Sequence, residues 1–311
     1  MKLATPKPLL PILTLALASV CSSAAFASTP PHKRPKSDKD INAIGRRNIA
    51  LAQNWYSLEK EKELGAQLSA AFERSVAILQ DPAANAYVEA LTQRIAQNSD
   101  AHMPVTVRIV NRDDVSATTV PGGNIYVTRG LLLQLKSEGE LASILAREVA
   151  HIALRSATWE LTRRNLLQLS EVPLVWPTGG GRTQPANADT QGLGSSLTLL
   201  HFRRIDEADA DYFGVQYLYK SGYDTDCFLS AIQKAPPQDS SPPIAEAFSP
   251  FPLLPERLKA LTNEIAEILP KRSGAIVLTL EFNQFQEHLR GLEPPKPEPK
   301  KPMLLRDSPP I

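Results

Sequence analysis

The chain reads as an α+β protein, mostly helical around a small mixed β-sheet, with one helix built to be buried. Three observations carry that expectation. Helical spacing of apolar residues dominates from residue 57 onward. Two short runs, 105–110 and 124–128, instead alternate apolar with polar and are rich in β-branched residues. The stretch Leu141-Ala142-Ser143-Ile144-Leu145-Ala146 is almost wholly apolar, as a helix enclosed by its neighbours requires.

The 311 residues are 42% apolar with a formal net charge of +1, which suits an enzyme-sized core. No basic stripe interleaved with aromatics occurs, so nucleic acid is not an expected partner. The first residues run from Lys2 and Lys7 through an apolar stretch over 9–20 to Ala25-Phe26-Ala27 and Ser28. That order predicts a signal peptide over 1–27, cleaved after Ala27, and a periplasmic or secreted mature protein. Val20 stands directly before Cys21, where a lipidation signal places a small residue. After cleavage Cys227 is the remaining cysteine, so stability is expected from packing and not from disulfides. No apolar run of about 18 residues follows, and no transmembrane segment is expected.

Taken in order, 28–44 is rich in proline and charge with little to bury and is expected to be a disordered leader, followed by one domain over 45–292. A helix is predicted from Ser57, with Leu64, Leu68, Phe72, Val76 and Leu79 inward. Asp81-Pro82 caps and opens a second, with Val88, Leu91 and Ile95 inward. The two strands follow, the second after the turn Pro121-Gly122-Gly123, then a short helix from Leu131 and a longer one from about Glu138 to Arg155. Residues 172–195, with three consecutive glycines and several prolines, predict a flexible loop. Helix resumes near Ser196 and stops at Gly222. A helix over 255–269, a strand over 275–280 and a helix over 282–292 complete the domain, and 293–311 is expected to be a proline-rich, unpacked tail.

The long apolar helix contains Arg147-Glu148-Val149-Ala150-His151. Two histidines four residues apart on one helical face can reach one zinc ion, with the glutamate beside the first acting as general base. Here the second histidine is His151 and the glutamate is Glu148, but the first position is Arg147. A guanidinium stays protonated and has no lone pair for a metal. In isolation this pattern is most simply a charged turn of a solvent-facing helix; its place in an apolar helix argues against that.

With Pro121-Gly122-Gly123-Asn124-Ile125-Tyr126-Val127-Thr128-Arg129-Gly130-Leu131 before the helix, Gly139-Glu140-Leu141-Ala142 opening it, and Arg204-Ile205-Asp206-Glu207-Ala208-Asp209-Ala210-Asp211-Tyr212-Phe213-Gly214 after it, the chain resembles the gluzincin zinc metalloendopeptidases of the HtpX, BepA and CAAX prenyl protease group over roughly 45–290. The resemblance implies a zincin-like metallopeptidase domain whose motif helix pairs with a downstream helix. It makes Glu207 the third zinc ligand and gives Asp211 the task of steadying a ligating histidine. Residues i and i+4 share a helical face, so both can point at one site. Two further departures from the family pattern are Phe251, where a histidine usually precedes the proline, and Ser116, where an asparagine usually precedes the edge strand. His201 precedes Glu207 by six residues, about 240° around a helix, and does not replace the missing ligand.

With only His151 and Glu207 as vestigial ligands, zinc binding is expected to be weak or absent and Glu148 idle. Arg147 is expected to take the metal's place electrostatically, its fork paired with Glu207, Asp211 or both. The functional expectation is a pseudoprotease that binds a polypeptide or partner protein beside the 124–128 strand without efficient cleavage. The alternatives are an active zinc metalloendopeptidase with a non-standard ligand set, and an unrelated helical envelope protein whose proline-rich tail binds surface partners.

Overall fold

A computed structural model describes residues 35–50, 54–170, 188–234 and 254–293. The expected signal peptide, most of the leader, the first part of the 172–195 loop, Phe251 and nearly all of the tail lie outside the described residues.

The last part of the expected disordered leader is ordered. Its 3-10 turns at Lys36–Lys39 and Ile41–Ala43 lead to Arg47, a buried guanidinium that holds the segment to the domain. Arg47 Nε and Nη2 donate to Asp100 at 2.9 and 2.6 Å, and Nη1 donates to Gln216 at 2.8 Å and to the Asp38 carbonyl at 2.7 Å. Asp100 also accepts from the Tyr217 hydroxyl, whose pKa burial pushes well above the ordinary range. Composition alone misreads this segment because a single buried ion pair supplies the anchor that apolar residues do not.

Helix α1, Leu58–Ser75, starts at the Ser57 cap, which accepts from Lys60 N. Its inward face is not the expected one. Glu61, Gly65 and Ser69 are buried, Leu64 and Phe72 are half-buried, and Leu68 is 41% exposed. Backbone proximity decides this, since a Cβ at Gly65 would sit 2.0 Å from the Pro121 carbonyl oxygen. Only a glycine face lets the helix lie this close to the turn. Helix α2, Pro82–Gln97, is capped by Asp81, which accepts from Ala84 N at 2.7 Å, and buries Val88, Leu91 and Ile95 as its spacing predicts.

The sheet has strands β1 (Thr106–Val110), β2 (Ala117–Val120) and β3 (Asn124–Thr128) in the order β1-β3-β2. β1 is parallel to β3 and β2 antiparallel to it. The 124–128 strand, expected beside the cleft, is therefore central among the described strands, and the edge strand next to the motif helix is β2. Helix α3 is Arg129–Gln134. Helix α4, Glu138–Leu154, carries the motif and is buried along nearly its whole length, packing on α2, α6, α7 and β2. Ser137 caps it, and it ends at Arg155 in the left-handed region (φ 59°), whose guanidinium donates to Glu61 and to the Tyr56 carbonyl, both at 2.6 Å.

Helix α5, Ser156–Ser170, follows where no element was expected, and α6, Ala188–Lys220, begins eight residues before the expected start at Ser196, taking up the end of the 172–195 loop. Gly222 (φ 94°) ends it. Helix α7 is Asp226–Lys234, and its Cys227 packs on Gly139 with a thiol that burial pushes up to about 11. Helices α8, Leu254–Ile268, and α9, Leu280–Gly291, complete the described chain. The strand expected over 275–280 reduces to one bridge, Ile276 with Tyr223, because the Thr279 hydroxyl caps α9 by accepting from Phe282 N at 3.1 Å. No described helix is long and apolar enough to cross a membrane.

Replacing Arg47 with Met leaves the Asp100 carboxylate buried and uncompensated, and is expected to lower stability by about 3–5 kcal/mol, read as a fall in the urea midpoint. The Asp81 carboxyl is held below its usual range by the Ala84 N–H and then by His288. Its stabilising contribution is therefore complete above about pH 4 and is lost as pH falls through the lowered value. Asp81→Asn should retain the cap while flattening the acid side of a stability-against-pH profile.

Candidate functional site

The site lies where α4 crosses α6 beneath the β2 edge. The approach is close because residue 214 is glycine: a Cβ there would meet Arg147 Cα and the Phe228 ring, both at 3.1 Å. Glu207, Asp211 and Gly214 are spaced four and three residues apart, so they share one face of α6. The helix–helix contact at Gly214 brings the two carboxylates to the Arg147 side chain.

Arg147 serves three carboxylates. Nε donates to Asp211 Oδ1 at 3.1 Å, Nη2 donates to Glu207 Oε2, and Nη1 lies 3.4 Å from Glu148 Oε1. The Arg147 side chain is 16% exposed, Glu207 17%, Asp211 5% and Glu148 4%, so these charges interact in a largely desolvated cleft. The sequence pairs Arg147 with Glu207, Asp211 or both, and the structure places it against both.

His151, one turn further along α4, has Nε2 3.6 Å from Glu207 Oε2. Its other nitrogen faces away from that carboxylate: Nδ1 lies 3.0 Å from Ser156 Oγ and 3.5 Å from Asp206 Oδ2, and the Ser156 hydroxyl donates to Asp206 at 2.5 Å. Among the described residues no group of three or more His, Cys, Asp or Glu side chains is placed to hold a metal ion.

Four contributors are not assigned by the sequence. Arg257 on α8 donates Nε and Nη2 to Asp211 at 2.7 and 2.9 Å, so that carboxylate receives two guanidinium groups. Thr119 on β2 donates to Glu148 Oε2 at 2.8 Å. Ser156 and Asp206 fix the His151 ring. Asp206 falls inside the 204–214 motif segment, so its place in the sequence is a usable signal, and Arg257 lies six residues after the Phe251 departure. Thr119 and Ser156 carry none, being a hydroxyl in a four-residue strand and the first residue of an unexpected helix. Ser116 precedes β2, its carbonyl accepting from Thr128 N at 3.0 Å. Phe251 lies outside the described residues, as does the side chain of His201.

A largely buried helix pair, one member bearing a glutamate and histidine and the other an acidic face, beside a three-stranded sheet with an antiparallel edge, defines a metallopeptidase scaffold. The chain belongs to peptidase family M48, whose model matches residues 82–265. The family is in general zinc-dependent. Relatives include the beta-barrel assembly-enhancing protease of Yersinia pestis, 28% identical over 227 residues (69% of this chain, 46% of the relative), and that of Escherichia coli, 26% identical over 227 residues (69% and 45%). The mitochondrial metalloendopeptidase OMA1 of Arabidopsis thaliana is 34% identical over 122 residues, 38% of this chain and 23% of its own. The chain thus spans just under half the length of the assembly-enhancing relatives it matches.

Arg147→Met is expected to cost about 3 kcal/mol in urea unfolding, because Glu207 loses its guanidinium partner while Arg257 continues to neutralise Asp211. Adding Glu207→Gln to that variant should recover part of the loss by removing the uncompensated charge. A further loss of equal size would show that Arg147 packs there without an electrostatic role.

Proposed function

We propose that this protein is a periplasmic or secreted member of its family that binds polypeptide, or a partner protein, without efficient cleavage. The observation that carries the reading is the placement of the Arg147 guanidinium against Glu207, Asp211 and Glu148. Catalytic zinc sites use three protein ligands and keep a further position for water. The described residues bring one imidazole, His151, and one ligand-position carboxylate, Glu207, to this point, and that carboxylate is engaged by a permanent cation. Asp206 does not make up the set, since it faces His151 Nδ1 while Glu207 faces Nε2, and the two ring nitrogens point in different directions. On this reading the described residues do not fit a catalytic zinc ion. Glu148 then has no metal-acidified water to deprotonate.

Binding without cleavage draws on the part of the scaffold that the substitution leaves intact. Among the described residues β2 pairs with β3 alone, so an extended polypeptide can add along its other edge, above α4, by main-chain hydrogen bonding. The signal-peptide pattern over 1–27 and the resemblance to beta-barrel assembly-enhancing proteases support an envelope location and a polypeptide partner.

Metal content separates this reading from an active enzyme with unusual ligands. The purified mature protein should carry far less than one zinc per chain by plasma mass spectrometry, and Arg147→His should approach one. Stoichiometric zinc in the unmodified protein, retained through gel filtration, would favour the active enzyme.

A further inference from the structure

Arg147 is not the only group holding Glu148. Thr119, the third residue of β2, donates its hydroxyl to Glu148 Oε2 at 2.8 Å and lies 3.3 Å from the Glu148 backbone carbonyl. Arg147 Nη1 stands 3.4 Å from the other oxygen, Oε1. This buried carboxylate therefore has a protein donor at each oxygen. A general base must offer a lone pair to an incoming proton from within hydrogen-bond reach. Here the Thr119 hydroxyl and the Arg147 guanidinium stand where such a proton would have to arrive at each oxygen.

We infer that Thr119 is a positioning residue that ties Glu148 to the edge strand, so the misfit of this site to metal-dependent hydrolysis is twofold and a histidine restored at 147 does not by itself release the carboxylate. The inference rests on the non-hydrolytic reading given above for its functional consequence, but the tie itself is independent of it. The bond also joins the two walls of the cleft. Thr119 sits opposite Ile125 of β3 in the sheet, whereas Glu148 belongs to α4, so the hydroxyl couples the strand offered to a polypeptide to the helix beneath it. Thr119 is half-buried, and its methyl group can pack there without any hydroxyl. The isosteric replacement Thr119→Val therefore isolates the hydrogen bond from the packing.

The decisive experiment is a double-mutant cycle in the mature, metal-free protein, using Thr119→Val and Glu148→Met and reading the thermal midpoint. Each single variant should lower the midpoint by roughly 2–4 °C for a domain of this size, and the double variant should lose no more than the worse single. Fully additive losses would overturn the inference. A second arm compares Arg147→His with and without Thr119→Val, zinc supplied, on denatured casein. Removing the hydroxyl should raise kcat about tenfold or more with KM unchanged. Equal kcat values in a zinc-loaded pair would also overturn it, and if Arg147→His takes up no zinc the cycle decides alone. Stoichiometric zinc or casein hydrolysis in the unmodified protein would instead defeat the non-hydrolytic reading, while the coupling between Thr119 and Glu148 would still stand or fall on the cycle.

Discussion

The helix pair at the centre of this fold brings Glu148, Glu207 and Asp211 into one largely desolvated cleft. Two carboxylates about 4 Å apart at an effective dielectric near 20 repel by about 4 kcal/mol, a sizeable share of the stability of a whole domain. A cation between them is a structural requirement before it is a catalytic one. Here two guanidinium groups meet it, Arg147 from α4 and Arg257 from α8, both converging on Asp211. The close crossing of α4 and α6 at Gly214, and the docking of α8 onto α6, depend on that compensation.

A guanidinium and a metal ion satisfy the same carboxylates in different ways. Arg147 directs a nitrogen at each of three acceptors, which uses its planar fork as a junction. Arg257, by contrast, makes the bidentate pair, and it makes it with Asp211. This division leaves Glu207, with His151 beside it, dependent on Arg147. On the non-hydrolytic reading proposed above, what the substitution removes is chemistry that only a metal supplies: an open coordination position and an acidified water. What it keeps is charge balance, the edge of β2 and the architecture beneath that edge.

The parts of the site that are legible in the sequence are those set by helical periodicity. The apolar run before Arg147 announces a buried helix, and the four-residue spacing of Glu207 and Asp211 places both on one face before any partner is known. The parts that are not legible depend on what lies across a tertiary contact. Leu64, Leu68 and Phe72 have the spacing of an inward face, yet Glu61, Gly65 and Ser69 turn inward, because the Pro121–Gly122 turn demands a surface without side chains and Arg155 demands an acid. Arg47 stabilises a segment whose composition reads as disordered. β2 is too short and too polar for its alternation to stand out, and its Thr119 acquires meaning only from the glutamate beneath it.

Chemical fit bears on whether Arg147 is an accident of a decaying site. Most residues that could replace a histidine at that position would leave Glu207 and Asp211 facing each other without a nearby cation on α4. Lysine would bring a charge but only a point donor on a flexible stem, unable to direct separate nitrogens at three carboxylates. Arginine alone combines a permanent charge, enough donors and a fixed spread between them. The glycine at 214 gives its backbone room, and Arg257 takes up the charge that a single guanidinium could not balance. A site that had merely lost its metal would be expected to show unpaired buried carboxylates. The three around Arg147 each have a defined partner, which is the arrangement of a structural element in its own right.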